Sequence, residues 1–503
     1  MKSKNAMDRR KFIGSAAATA ATITVVPRHV LGGPGFVPPS DKITVANIGC
    51  GTQGLREMPG MLQNEDIQVV SVCDVNKFTT DYLDWSANGI KRSMQRTMEN
   101  PDWGANYKGI PGGRDIGKEY VDTYYGKKMP SGKYKGCSSY EDYREFFAKE
   151  KDVDAIKIMT PDHHHAHLAI MAMNAGMHVI THKPIANRMA EGRAAIETAK
   201  KSKVKTHLLA WSERPEHKQV LKWIEEGVIG ELKEIHNWSY RPVWEQWPTR
   251  PTEKVPIPDG FNWELWLGPV PDMDYHPFYT HNRFRGWYDF GGGSVADMGH
   301  YSLFPLFQAF GIDTAPTAAK AYGTTHRYVD GNTYKWVEND VGFPYSCMVQ
   351  WEFPKQKKLP AFDLFWYDGG MKPFIPEELK ADNKDMPEEG MMFVGTKGKI
   401  LAGFLGRRPK IIPSSRMEAY EGDMLEVPQD QRRSNTWAAA IKNDEESPGS
   451  FKYAGPVTET INLAAIALRS GKRVEYDSKN LKITNDEDAN KLLTREYRKG
   501  WEL

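Results

Sequence analysis

Gly49-Cys50-Gly51-Thr52-Gln53-Gly54 has the glycine spacing that lets a backbone turn cradle two phosphates. Gly49 permits the tight turn, Gly51 lets the main chain approach a pyrophosphate, and Gly54 lets the next helix pack close to the preceding strand. The helix expected to begin at Leu55-Arg56-Glu57-Met58 offers free N–H groups and a positive dipole end to the phosphates, with Thr52 and Gln53 in the turn before it. Asp74 ends the apolar run Ile67–Cys73, where its carboxylate can accept from ribose hydroxyls and repel a 2′-phosphate. Together these residues point to a bound dinucleotide, NAD rather than NADP.

Other stretches supply groups that hold or move protons. Thr160-Pro161-Asp162-His163-His164-His165-Ala166-His167 follows directly on the apolar run Val153–Met159. In an open parallel sheet the carboxyl ends of strands face the ligand crevice. Thr160, Pro161 and His165 are therefore expected to line it, with the other histidines on a helix surface. Neither a Cys nor an acidic cluster accompanies them, so no metal site is expected. Lys183, in Thr181-His182-Lys183-Pro184, leaves the end of the next strand; beside a positively charged ring its pKa falls, which suits proton transfer. In Gly291-Gly292-Gly293-Ser294-Val295-Ala296-Asp297-Met298-Gly299-His300-Tyr301 the glycines permit close approach to a ligand. Asp297 lies one helical turn from both His300 and Tyr301 and can orient either. A helix-capping Asp beside a buried His is the competing reading.

Six of the fifteen tryptophans fall between Trp238 and Trp287. Tyr275, His276, Arg285 and Trp287 in that stretch, with His165 and Trp211, form a candidate sugar-binding set. Aromatic faces interleaved with polar groups suit a carbohydrate, and equally suit the core of a helix-poor segment.

Positioning such residues takes alternating strands and helices. That alternation runs from Lys42 to about residue 215, interrupted by a long insertion at about 79–138. It predicts a doubly wound parallel sheet. From residue 216 the strands lose their helical partners, which reads as an α+β domain with a mixed or antiparallel sheet. The fold class is α/β, a dinucleotide-binding domain at 41–215 followed by a substrate and oligomerisation domain at 216–503. Before them, residues 29–40 form a Gly/Pro-rich linker. Residues 1–28 carry Arg9-Arg10-Lys11 ahead of an Ala-rich apolar segment, the pattern of a twin-arginine export signal. That segment is short for a membrane span, so the mature chain is expected to have none and to be periplasmic. A net charge of +2 with no basic stripe argues against nucleic acid. The four cysteines show neither metal nor disulfide spacing.

With these motifs in place, residues 41–503 resemble the glucose–fructose oxidoreductase/inositol dehydrogenase (Gfo/Idh/MocA) family. The resemblance rests on Gly49-x-Gly51-x-x-Gly54, Thr160-Pro161-Asp162-x-x-His165, Lys183-Pro184 and Gly291–Tyr301. It implies a Rossmann domain, a C-terminal domain with a large open sheet, and assembly through that sheet. It also implies that Lys183, Asp297 and a histidine four positions later act on a substrate hydroxyl. Here two positions depart: His182 replaces the family's Glu, and Tyr301 occupies the fourth position with His300 beside it. The catalytic set is thus Lys183 and Asp297 with His300 or Tyr301, and His300 is slightly favoured because imidazole titrates near neutrality. The expected activity is NAD-dependent oxidation of a secondary hydroxyl, at C3, of a sugar or glycoside, with the NAD retained through export. The alternatives are a redox-neutral NAD-dependent glycosidase and a sugar-binding protein with structural NAD.

Overall fold

The computed structural model describes residues 41–129, 134–426 and 436–503; the signal segment and the linker expected before residue 41 lie outside the described residues. The first sheet begins at β1 (Ile43–Ile48), an apolar run buried on both faces, as a central parallel strand requires. β2 (Ile67–Cys73), β3 (Ser138–Tyr140), β4 (Ala155–Ile158), β5 (His178–Thr181) and β6 (Thr206–Leu208) complete it. The strand order is β3-β2-β1-β4-β5-β6, all parallel. The order reverses between β1 and β4, which opens the ligand crevice at their carboxyl ends.

The crossing helices are α1 (Thr52–Leu62), α2 (Gly89–Met98), α3 (Arg114–Lys128), α4 (Tyr143–Lys149), α5 (His165–Asn174) and α6 (Met189–Lys201). The expected insertion is shorter than 79–138. Tyr120, Val121 and Tyr125 of α3 share a core with Val69 and Val72 of β2, and the Val69 N–H donates to the Tyr125 hydroxyl at 3.0 Å. Helix α3 and strand β3 are thus the ordinary crossover after β2, and only about 76–113 is extra. The weak amphipathic pattern of α3 hid this, because its buried face is mostly tyrosine and glycine.

After α7 (Pro215–Glu225) the second sheet has nine strands: β7 (Leu232–Trp238), β8 (Ala318–Gly323), β11 (Cys347–Phe353), β12 (Phe362–Tyr367), β13 (Gly390–Gly395), β14 (Lys399–Ala402), β15 (Lys410–Ile412), β16 (Val474–Asp477) and β17 (Lys482–Ile483). Its order is β15-β14-β13-β7-β12-β11-β8-β16-β17; β7 and β12 run parallel and the other pairs antiparallel. An exposed hairpin, β9 (Arg327–Asp330) and β10 (Thr333–Trp336), stands apart. Strand β11 alternates buried and half-buried residues, so one face of this sheet is the core face. Val349, Trp351, Leu364 and Trp366 on that face share one hydrophobic core with Leu303 and Phe307 of α8 (Gly293–Phe310) and Ile461 of α9 (Phe451–Ser470). Ile158 and Val179 of the first sheet belong to the same core. The loop that carries Lys183 and the helix that carries Asp297 are therefore held by one continuous packed interior.

Candidate active site

A cavity of about 670 Å³ runs from the β1 turn to the start of α8. Gly49, Gly51, Thr52, Gln53, Asp74, Thr160 and Pro161 line one end. Gly49 has φ +100°, and a Cβ there would fall 2.6 Å from the Met159 carbonyl carbon. A Cβ on Gly54 would fall 2.1 Å from the Gly49 carbonyl oxygen, so α1 can start directly against the turn only with glycine there. The first turn of α1 has no side-chain cap, which leaves its N–H groups to a ligand. Asp74 accepts from the Cys50 N–H at 2.6 Å and the Asn76 N–H at 2.8 Å, with lone pairs to spare for ribose hydroxyls. Burial pushes its carboxyl up, against those two N–H groups and Arg114. The Thr160 hydroxyl is buried without a hydrogen-bond partner among the described residues. Glycine cradle, uncapped helix, acid and unpaired hydroxyl together fit a dinucleotide.

The extra segment lies across this groove. The Tyr82 ring packs where a Gly51 Cβ would stand, with its Cε1 2.8 Å from that position. Thr52 Oγ1 donates to the Leu83 carbonyl at 2.9 Å, Arg56 pairs with Asp84, and the Arg241 guanidinium stacks 4.4 Å from the Trp85 ring centre. The segment is tied at both ends, by the Lys77 N–H to the Gly260 carbonyl at 2.7 Å and the Gly113 N–H to the Cys50 carbonyl at 3.0 Å. Residues 82–85 thus bridge the nucleotide-binding helix and the second domain.

At the other end of the cavity Lys183 and Asp297 form a buried ion pair. Asp297 also accepts from Arg285 Nε at 3.2 Å, and Arg241 Nη1 is 3.9 Å from its second oxygen. Burial alone would raise the Asp297 pKa, but Lys183 and Arg285 bring it down to about 2, so it is ionised. Burial lowers the Lys183 pKa, with Asp297 opposing. Lys183 Nζ lies 5.0 Å from the Tyr301 ring centre, and the Tyr301 hydroxyl is 3.1 Å from His182 Nε2. Burial raises the Tyr301 pKa far above its usual value and lowers that of His182, so this pair is neutral.

His300 is placed elsewhere. It is fully buried outside the cavity lining, its Nδ1–H donates to the Ala296 carbonyl at 2.9 Å, and burial brings its pKa down to about 3. From Asp297 on α8, the residue four positions on, Tyr301, faces the crevice; the residue three positions on points into the core. The slight preference for His300 is therefore corrected. His165 is buried behind the cavity wall, where its ring nitrogens lie 2.6 Å from the Pro184 carbonyl and 2.9 Å from the Thr160 carbonyl. It ties the β4 and β5 loops together rather than lining the crevice. His163, His164 and His167 are also buried, not on a helix surface. The first two bond the Trp266 carbonyl at 2.8 Å each and the third the Trp501 carbonyl at 2.9 Å, because the second domain packs on this loop.

Four of the expected sugar-binding residues are also away from the cavity. Trp287 is fully buried, stacked 5.8 Å from Trp247; Tyr275 and His276 are buried beside it; Trp211 donates from Nε1 to Gln308 at 2.5 Å. Arg285 does line the cavity. The glycines of 291–293 serve packing: Cβ atoms on Gly291 and Gly293 would meet the Arg285 backbone and the Phe343 ring at 2.5 Å, and the Gly292 N–H donates to Asp162 at 3.2 Å. Sequence reasoning missed His182, Arg241, Trp244, Tyr82 and Trp85 as cavity residues. Arg241 and Trp244 follow the end of β7, a strand of the second, mixed sheet, where the strand-end rule for parallel sheets gives no signal. Nothing in the sequence of the extra segment marks the groove it crosses.

Comparison with known proteins bears on the fold and the family. The model of an oxidoreductase family with an NAD-binding Rossmann fold matches residues 126–209, beginning only after the extra segment. The model of the same family's C-terminal α/β domain matches 216–338 and 365–503. A levoglucosan dehydrogenase of Pseudarthrobacter phenanthrenivorans is 33% identical over 116 residues, 23% of this chain and 29% of that protein. A glycosyl hydrolase family 109 protein of Stenotrophomonas maltophilia is 26% identical over 174 residues, 35% of this chain and 29% of that protein. The matches thus span under a third of these relatives' lengths. The WlbA dehydrogenase of Bordetella pertussis, solved with NADH and UDP-GlcNAcA, shares the fold at 14% identity and a TM-score of 0.50, over 87% of this chain and 99% of that one. With the family's two models covering more than half of its length, and with the groove described above, this chain belongs to the Gfo/Idh/MocA oxidoreductase family and its cofactor is NAD.

Proposed function

We propose that this protein oxidises a secondary hydroxyl, at C3, of a sugar or glycoside. The observation that carries the reading is the buried Lys183–Asp297 pair, with Tyr301 beside it, at the end of the cavity that continues into the dinucleotide groove. NAD, when bound, supplies a hydride acceptor; Gly49, Gly51, Thr52, Gln53, Asp74, Thr160 and Pro161 would hold it. The lowered pKa of Lys183 suits it to take the hydroxyl proton. Asp297 stays ionised; it holds the Lys183 amine in place and stabilises the ammonium formed once the proton has moved. The Tyr301 hydroxyl, oriented by His182, would hold the substrate oxygen.

The reading includes export through the segment at 1–28, with NAD loaded before export and kept afterwards. Residues 82–85 across the groove support retention. Assembly into a homo-oligomer through the open face of the second sheet belongs to the same reading. A second reading is favoured by the relatives named glycosyl hydrolase family 109: oxidation, loss of the aglycone, water addition and reduction, with no net redox change. One preparation tests all of this. Protein purified without added nucleotide should release NAD on denaturation and little NADP. Absorbance at 340 nm should rise when levoglucosan or a glycoside is added, and free sugar should not accumulate. Accumulation without net NADH would favour the hydrolytic reading, and an empty protein would end the retention argument.

A further inference from the structure

We propose that Arg241 is the receptor for an anionic group on the substrate, so that the sugar is acidic, carrying a carboxylate of the uronate kind. This deepens, and rests on, the reading of the cavity as a sugar site.

Arg241 sits just after β7 and lines the cavity with its side chain only 13% exposed. Its guanidinium is stacked 4.4 Å from the Trp85 ring centre and 5.5 Å from that of Tyr240. Stacking on ring faces fixes the plane of the fork and leaves its in-plane N–H donors free. Those donors have little to bind. The Asp297 oxygen at 3.9 Å is beyond hydrogen-bond length, and Nε is buried with no partner among the described residues. Trp244, which lines the same cavity, has an equally unpartnered buried Nε1–H. Arg285 differs: its Nε serves Asp297 at 3.2 Å and its Nη1 serves Asn282 at 2.6 Å. A guanidinium held in place with idle donors is a costly arrangement unless an acceptor completes it.

The local charges point the same way. Lys183 and Arg285 both bond Asp297, whereas Arg241, the third cation around it, has no carboxylate within hydrogen-bond distance among the described residues. Elsewhere in the wall Arg283 pairs with Glu245 at 2.5 Å and Arg56 with Asp84, and Asp74 and Glu141 have Arg114 as their cationic neighbour. A neutral sugar leaves the Arg241 guanidinium without an anionic partner. A carboxylate matches the guanidinium fork in charge and in bidentate geometry. The dinucleotide phosphates do not answer for Arg241, since their cradle is the β1 turn, whereas Arg241, in the loop after β7, stands beside Asp297 of α8.

The test is calorimetric titration of the NAD-loaded, full-length protein with methyl β-D-glucopyranosiduronate, methyl β-D-glucopyranoside and glucose 6-phosphate. The native protein should bind the glucuronide at least about tenfold more tightly than the glucoside. Arg241→Gln should erase that preference, and Arg241→Lys, which keeps charge without the fork and guards against a folding failure, should retain part of it. A still stronger preference for glucose 6-phosphate would keep the anion receptor and assign the anion to phosphate. Equal binding of neutral and acidic sugars, a preference that survives in Arg241→Gln, or a loss of NAD rather than of sugar selectivity would each overturn the proposal. Absorbance at 340 nm in the same samples separates the two claims. A glucuronide that binds through Arg241 without reducing NAD contradicts the oxidation reading and leaves the receptor standing. Oxidation of the neutral glucoside alone removes the receptor and leaves the reading.

Discussion

Two regions of this molecule look alike in composition and behave differently in structure. One is the cavity wall, with Trp85, Trp244, Tyr301, Arg241 and Lys183. The other is the cluster of Trp263, Trp266, Tyr275, Tyr279, Trp287 and Phe290. Both interleave aromatic rings with polar groups. In the cluster the polar tips are answered from within: Trp287 Nε1 donates to the Phe278 carbonyl at 2.8 Å and Trp263 Nε1 to the Met273 carbonyl at 2.7 Å. Its rings stack on one another, Trp263 on Trp266 at 4.8 Å. In the cavity wall, Trp244 Nε1, Arg241 Nε and Thr160 Oγ1 are buried without partners. Core groups such as Trp223 Nε1 and Trp351 Nε1 also lack partners among the described residues, so what separates site from core is the cavity beside the unanswered groups, which residue type and spacing do not report.

The contrast can be broken most sharply by removing one residue from each region. Lys183→Ala should cut turnover about a hundredfold or more, the size of a general acid–base contribution. Bound NAD should remain, and the fold should hold because Asp297 keeps Arg285 and Arg241 as neighbours. Trp287→Ala should do the reverse. It empties a fully buried site, at about 3–5 kcal/mol of stability by denaturant titration, while turnover per folded molecule stays near native. Turnover lost in the second variant without a stability change would erase the distinction.

A smaller effect divides the two neighbours on α8. Tyr301→Phe should lower turnover by about tenfold and leave the unfolding midpoint unchanged. His300→Ala should lower the midpoint and leave the pH profile of turnover as it was, since a residue held at about 3 does not titrate near neutrality.

The smallest effect is spread over the core. His164, His207, His217 and His300 are buried and brought down to about 3, burial being the main cause in each. Unfolded, they bind protons at about pH 6.5. Between these values the unfolded state holds more protons, so stability rises with pH. Their contribution is complete above about pH 6.5 and is lost as pH falls toward 3. Thermal midpoints by scanning calorimetry should decline on acidification from pH 6.5, and His217→Phe should flatten the decline.

Much of the dinucleotide half was legible in the sequence because backbone requirements leave local marks. The glycines at 49, 51 and 54, the acid at 74 and the strand-end positions of Thr160 and Lys183 are each dictated by one turn. The proton-handling end was half legible. Asp297 carries its own signature, but choosing between His300 and Tyr301 needs the rotation of α8 against the crevice, which depends on packing with the second sheet. His163, His164 and His167 read as a surface face, since the partner that covers them, around Trp266 and Trp501, is more than a hundred residues away in sequence. The role of residues 82–85 was invisible for the same reason: their neighbours, α1 and Arg241, belong to elements that meet only in the fold.

The central claim is that Lys183 takes the substrate proton. The direct measurement is the pH dependence of the 340 nm rise in a single turnover, with sugar mixed into protein carrying its own NAD, for the native chain and for Lys183→Ala. Because burial lowers the Lys183 pKa, the native rate should climb with pH along a limb centred below the ordinary lysine value of about 10.4, and the variant should be slow and lack that limb. A Lys183→Ala protein that reduces its bound NAD at the native rate, with the limb intact, would contradict the account.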